Sequence, residues 1–123
     1  MAHERIKSKA GLALVARVRA ICARYPEVGE RIDAFGLTSF RVRDKPFVFM
    51  GERDGVPSMS FRLLHETQDF LTSHSDRFSR AAYIGQHGWT DMKPEYPIDW
   101  EEVESFIDEA YRRTAPKTLL KQL

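Results

Sequence analysis

The sequence predicts an α+β domain, an antiparallel sheet with helices packed on one side. Apolar residues recur at helical spacing near both ends of its 123 residues. The middle alternates apolar with polar residues between turn dipeptides, and the resulting order is helix, meander, helix, hairpin, helix.

Leu14, Val15, Val18, Ile21, Cys22 and Tyr25 recur every three or four residues and mark one stripe of a first helix, which Pro26 stops. Arg17 and Arg24 fall off that stripe and are expected in solvent. From Val28 to Arg62 the period shortens: Glu30, Ile32 and Ala34, then Phe40 and Val42, alternate with polar neighbours, and Phe47 to Met50 is a short apolar run. Asp44-Lys45-Pro46 and Asp54-Gly55 are turn signals, the second a strong hairpin dipeptide, so the segment reads as a meander of three or four strands. Pro57 marks an edge or a strand start, because it has no N–H to give a ladder.

Leu64 to Ser75 reads as a second helix. Arg80 to Ile84 and Trp89 to Met92 read as two further strands joined through Gly85-Gln86-His87-Gly88. The last helix is the clearest element. Asp99 can cap it, Glu102 stands at the capping-box position, and Ile98 can staple against Val103. Trp100, Val103, Phe106, Ile107, Ala110 and Tyr111 then form one stripe. Acids crowd its start and Arg112 and Arg113 its end, as the helix dipole favours.

A chain of this length folds as one domain over residues 1–123 and buries roughly two-thirds of its unfolded surface, enough to dispense with disulfides or a structural metal. Nineteen Lys and Arg oppose 18 Asp and Glu, a formal charge of +1. That balance excludes an all-over basic coat of the kind that drives non-specific nucleic-acid binding. The charges are unevenly spread, however. Arg5, Lys7, Lys9, Arg17, Arg19 and Arg24 face only Glu4 in residues 1–24, whereas residues 97–110 hold six acids and no base. No apolar run approaches the ~20 residues of a membrane span, and the basic N-terminus lacks a secretory pattern, so a cytoplasmic protein with a reduced Cys22 is expected.

Recognisable catalytic chemistry is missing. His3, His65, His74 and His87 form no HExxH or HxxxH pair, no carboxylates complete a metal site, and the single cysteine lies on an apolar stripe that disfavours a thiolate. There is no GxSxG elbow, Walker loop or GxGxxG cradle. Neither a cofactor nor a metal is expected. Gly85-Gln86-His87-Gly88 matches the spacing of a GxxG backbone clamp, but such a clamp joins two helices. A turn needing positive φ is the plainer reading.

The most suggestive polar feature is Arg41, Arg43 and Lys45. At spacings of two they fall on one strand face opposite Phe40 and Val42, and a cationic ribbon can lie along a DNA backbone. The alternative is simply the wet face of a sheet. Arg53 at the hairpin tip and Lys93 could extend the surface, and Tyr83 and Trp89 could stack bases or belong to the core.

Phe40-Arg41-Val42-Arg43-Asp44-Lys45-Pro46-Phe47 resembles the F-R-V-x-x-K-x-F hairpin of the MmcQ/YjbR-like family. So do Phe35-Gly36 before it, Gly85-Gln86-His87-Gly88-Trp89 after it, and the tail Tyr111 to Lys117 with its Ala115-Pro116-Lys117. The resemblance spans about residues 10–118. It implies a curved antiparallel sheet covered by helices, as in secretion-chaperone and frataxin-like folds, and DNA binding through a double wing. Carried over by position, the wing residues are Arg41, Arg43 and Lys45 with His87 and Trp89. One departure is Ala110-Tyr111, where many members of the family carry Ser-Tyr, so no role passes to that hydroxyl.

The function expected is therefore a small, monomeric, non-enzymatic DNA-binding module using Arg41, Arg43, Lys45, Arg53, His87, Trp89 and Lys93. Two rivals stand beside it. One is a chaperone-like protein-interaction module using the sheet face or an edge, and the other a small-ligand pocket around Tyr83, His87 and Trp89.

Overall fold

The computed structural model describes residues 4–123, so His3 lies outside the described residues. Six strands form one sheet in the order β1-β2-β3-β4-β6-β5, every neighbouring pair antiparallel. They are β1 (Val28–Ile32), β2 (Thr38–Val42), β3 (Lys45–Arg53), β4 (Val56–Arg62), β5 (Phe78–Arg80) and β6 (Trp89–Met92). The helices are α1 (Lys9–Cys22), α2 (His65–His74), α3 (Trp100–Thr114) and the short α4 (Lys117–Leu120). The fold is α+β, as the periodicities predict. Among the described residues no helix is long and apolar enough to cross a membrane.

α1 buries the predicted stripe of Leu14, Val15, Val18, Ile21 and Cys22. Arg24 pairs with Glu104, and Arg17 lies 4.9 Å over the Trp100 ring. α3 starts on Asp99, whose side chain accepts from the Glu102 N–H at 3.2 Å. The Glu102 carboxylate does not return to the cap; it takes Arg77 at 2.6 Å, which ties the helix start to the segment before β5.

The core lies between one sheet face and these two helices. Phe40, Val48, Met50, Met59, Phe61 and Met92 look into it from the strands, and Val103, Phe106, Ile107 and Tyr111 from α3. Each such large side chain, fully buried, contributes about 1.5–3 kcal/mol of transfer free energy. Because strand side chains alternate, the opposite, outer face carries Arg31, Ser39, Arg41, Phe49, Ser60 and Trp89.

The meander has four strands, and Asp54-Gly55 is its β3–β4 turn, with φ of 53° and 77°, the left-handed pair of a two-residue hairpin. Pro57 stands second in β4, beyond the residues that pair with β6. Two segments depart from the sequence reading. The β2–β3 turn is Arg43-Asp44, at φ of 49° and 66°, so Lys45 and Pro46 already belong to β3. A register shift beside Phe40 and Arg41 then leaves Phe47 as an extra residue, and Phe47 and Val48 both enter the core.

The strand expected over Arg80 to Ile84 is instead Phe78–Arg80. The chain leaves the sheet at Ala81, passes Tyr83 at φ of 66°, and makes one 3₁₀ turn over Gly85–His87 before β6. The two strands are nonetheless neighbours, as expected. α4 carries no periodic signal in four residues and was outside the sequence reading.

Candidate nucleic-acid interface

The alternation that suggested one cationic face does not survive the β2–β3 turn. Arg41 lies on the outer face. Arg43 sits in the turn itself, and Lys45 pairs with Val42, which places it toward the helix side. The two-residue turn Arg43-Asp44 intervenes between positions that an uninterrupted strand would have aligned. The three residues share one end of the sheet but present three directions.

Around Arg41 the outer face forms a shallow depression of about 390 Å³, lined by Glu27, Gly29, Glu30, Arg31, Arg41, Arg43 and Asp44. Gly29 is directly opposite Arg41, and open space lies over the site of its missing side chain. Arg43 holds Glu27 in a bidentate pair at 2.7 and 3.0 Å, which keeps that carboxyl below its ordinary range and raises the guanidinium. Arg31 pairs with Asp44 at 3.3 Å.

Arg41 is different. Its Nε donates to Ser39 Oγ at 2.8 Å and its Nη1 to the Asp44 carbonyl at 3.1 Å, both neutral acceptors. Among the described residues it forms no ion pair with a carboxylate. Three guanidiniums and three carboxylates line the depression, but Glu30 is held by Arg19 from α1 at 2.6 Å, so the guanidinium left without a carboxylate among the described residues is that of Arg41.

Beside the depression, Phe49 on β3 stands directly opposite Ser39. Its ring lies against Trp89 with centroids 4.7 Å apart at 37°. Neither ring belongs to the main core cluster, which confirms that they share the outer face. Trp89 is only 5% exposed, and Phe49 covers it.

The Gly85–Gly88 turn is an internal joint. The side chain of Gln68, fully buried on α2, donates to the carbonyls of Gly85 and Trp89 at 3.0 and 2.9 Å. Arg113 at the end of α3 donates to the carbonyls of Leu63 and His87. Gly88 stands at φ of 92°, the positive φ expected for this turn, and a side chain there would meet the Leu63 carbonyl at 2.0 Å. The His87 side chain is exposed.

Arg53 and Lys93 lie at the other end of the sheet, since β3 runs from Lys45 to Arg53 and β6 ends at Met92 opposite Met59. Eight residue steps of strand separate Lys45 from Arg53, about 26 Å. The seven predicted site residues therefore divide between two ends. Arg31, Asp44 and Phe49 were missed. Strict alternation through Phe47 to Met50 would have turned Phe49 away from Val48 and Met50.

Among the described residues no group of three or more His, Cys, Asp or Glu side chains is placed to hold a metal ion. Burial pushes the Cys22 thiol up to about 12, far from a reactive thiolate. No curated protein matches the sequence. The YjbR family model matches residues 23–113, well over half the chain, spanning everything from the end of α1 to Arg113 in α3. With the hairpin, the turn and α3 as far as Arg113 inside that match, the chain belongs to the YjbR family.

Proposed function

We propose that this protein is a non-enzymatic DNA-binding module that contacts backbone phosphate through the depression centred on Arg41. The observation that carries the reading is the Arg41 guanidinium, oriented by two neutral acceptors and, among the described residues, without a carboxylate partner, with Arg31 and Arg43 lining the same depression. A charged donor that is already aimed loses little freedom on meeting an oxyanion, and a bidentate guanidinium suits phosphate geometry. The flanking pairs Arg43–Glu27 and Arg31–Asp44 are exposed and weak, so either arginine can turn to a phosphate at small cost.

Only a few phosphates are engaged, which sets the expected strength. Fluorescence anisotropy with a labelled duplex between 50 and 200 mM salt should give a log–log slope of about 1 to 2, at roughly 0.9 per phosphate. Arg41→Ala should weaken binding and flatten the slope by about one, whereas Lys93→Ala, at the far end of the sheet, should leave both unchanged. Absence of binding at 50 mM salt, or equal effects of the two substitutions, would overturn the reading.

The open edge favours a second reading. β1 pairs only with β2, and Gly29 to Ile32 are exposed, with Ile32 and Phe35 as surface apolar groups beside it. An edge of this kind can accept a partner strand. Binding of a protein partner that persists at high salt and is lost on Phe35→Ser would support it over the first.

A further inference from the structure

We infer that the nucleic acid taken by this face is single-stranded, one base stacking on Phe49 while its phosphate lies on Arg41; this rests on the phosphate-binding reading above.

Phe49 occupies the third of six strands, on the face that α1 and α3 leave open. It is partly exposed and packs on Trp89 rather than on the core. Trp89, itself buried, backs the ring and fixes its tilt. The neighbouring side chains are small: Ser39, fully buried, and Ser60, partly exposed, stand directly opposite on the two neighbouring strands, and Gly51 is two residues along β3. A flat base can reach an aromatic ring across such small side chains, and base–aromatic stacking is tolerant of sequence because every base has a π-face.

The cation is placed to match. Ser39, opposite Phe49, is the residue whose hydroxyl accepts from Arg41 Nε at 2.8 Å. Phe49 and Ser39 are thus neighbours across about one interstrand step of 4.8 Å, and Arg41 reaches back to Ser39, which puts an aromatic ring and a cation on the same patch, as a base and its phosphate require. The direction of the strand also follows. Asp91 lies beyond Ser60, hydrogen-bonded to it, and its negative charge repels a phosphate on the β5 side. On the β1 and β2 side the carboxylates Glu27 and Asp44 are paired with Arg43 and Arg31, so the backbone runs that way, over Arg41. A duplex keeps its base faces inside the stack and offers nothing to Phe49.

The test compares a labelled 12-mer of thymidine, a 12-mer of uridine and a 12-bp duplex by anisotropy at 100 mM salt, with wild type, Phe49→Leu, Phe49→Tyr and Arg41→Ala. Phe49→Leu keeps an apolar side chain over Trp89, and an unchanged circular dichroism spectrum and melt will show that it folds. The single strands should bind about tenfold or more tighter than the duplex. Phe49→Leu should weaken them about 5- to 150-fold, equivalent to one lost stack, and leave the duplex unmoved; Phe49→Tyr should restore them. Equal affinity for single strands and duplex, or single-strand binding untouched by Phe49→Leu, overturns the inference, while duplex binding lost on Arg41→Ala still upholds the phosphate reading. No binding by any probe overturns both.

Discussion

Arg41 and Arg43 show how little separates a surface cation that has a carboxylate partner from one that meets only neutral acceptors. They are two positions apart and chemically identical, yet Arg43 closes a bidentate pair with Glu27 while Arg41 rests on a hydroxyl and a carbonyl. Their residue types and spacing were legible in the sequence. Their partners were not, because Glu27 is brought to Arg43 by the register of β1 against β2. Glycines give the same lesson. Gly88→Ala should destabilise the protein by about 2–4 kcal/mol, since left-handed backbone and a collision with the Leu63 carbonyl at 2.0 Å act together. Gly55→Ala, at φ of 77° but in open space, should cost only about 1 kcal/mol. Urea denaturation of the two variants measures the difference, and equal losses would mean that the crowding at Gly88 is relieved by movement.

Among the elements, the N-terminal strap before α1 is held by one buried carboxylate. Glu52 on β3 accepts from the Lys7 and Ser8 N–H groups at 3.3 and 3.2 Å and from the Ser8 hydroxyl, and Ser8 in turn caps α1 at Gly11. These donors hold the Glu52 carboxyl below its ordinary value despite burial. A carboxyl whose folded value is depressed stabilises the fold fully above its unfolded value of about 4.3, and that contribution is lost as pH falls through the folded value. Glu52→Gln should therefore cost about 1–3 kcal/mol at neutral pH. The gap from wild type should shrink steadily below about pH 4 in melts recorded across the acid range; a gap independent of pH would show that charge plays no part. The helices and the meander were readable because their periods are local and their caps and turn dipeptides strong. The last strand pair was misplaced by a few residues, because Phe78 is a lone buried residue in a three-residue strand, too short to show alternation. The bulge at Phe47 left no mark in the sequence either, since two adjacent apolar residues fit a strand of any register.

At the scale of the whole molecule, near-neutral net charge is compatible with a locally unmatched cation: acids at the start of α3 are engaged by capping and by Arg77, while Arg41 meets only neutral acceptors among the described residues. Cys22, 1% exposed in the core, reports on the integrity of the whole fold. Its labelling by an aromatic disulfide reagent should be negligible in the native state and accelerate with urea along the global unfolding curve; rapid labelling without denaturant would place a local opening in α1. The candidate surface was half legible: Arg41 was found, while Phe49 was hidden in an apolar run whose two faces only the folded sheet distinguishes. The side chain of Arg113 carries a different consequence. It bonds carbonyls 50 and 26 positions away in sequence, joining the end of α3, the exit of β4 and the Gly85–Gly88 turn. Such a junction closes only after all three segments have arrived, so it belongs to the native side of the folding barrier. Arg113→Leu should then shorten the lifetime of the native state severalfold by faster unfolding and leave the refolding rate nearly untouched, both limbs being read from a stopped-flow chevron. A slowed refolding limb would instead move this junction to the earliest moments of the chain's collapse.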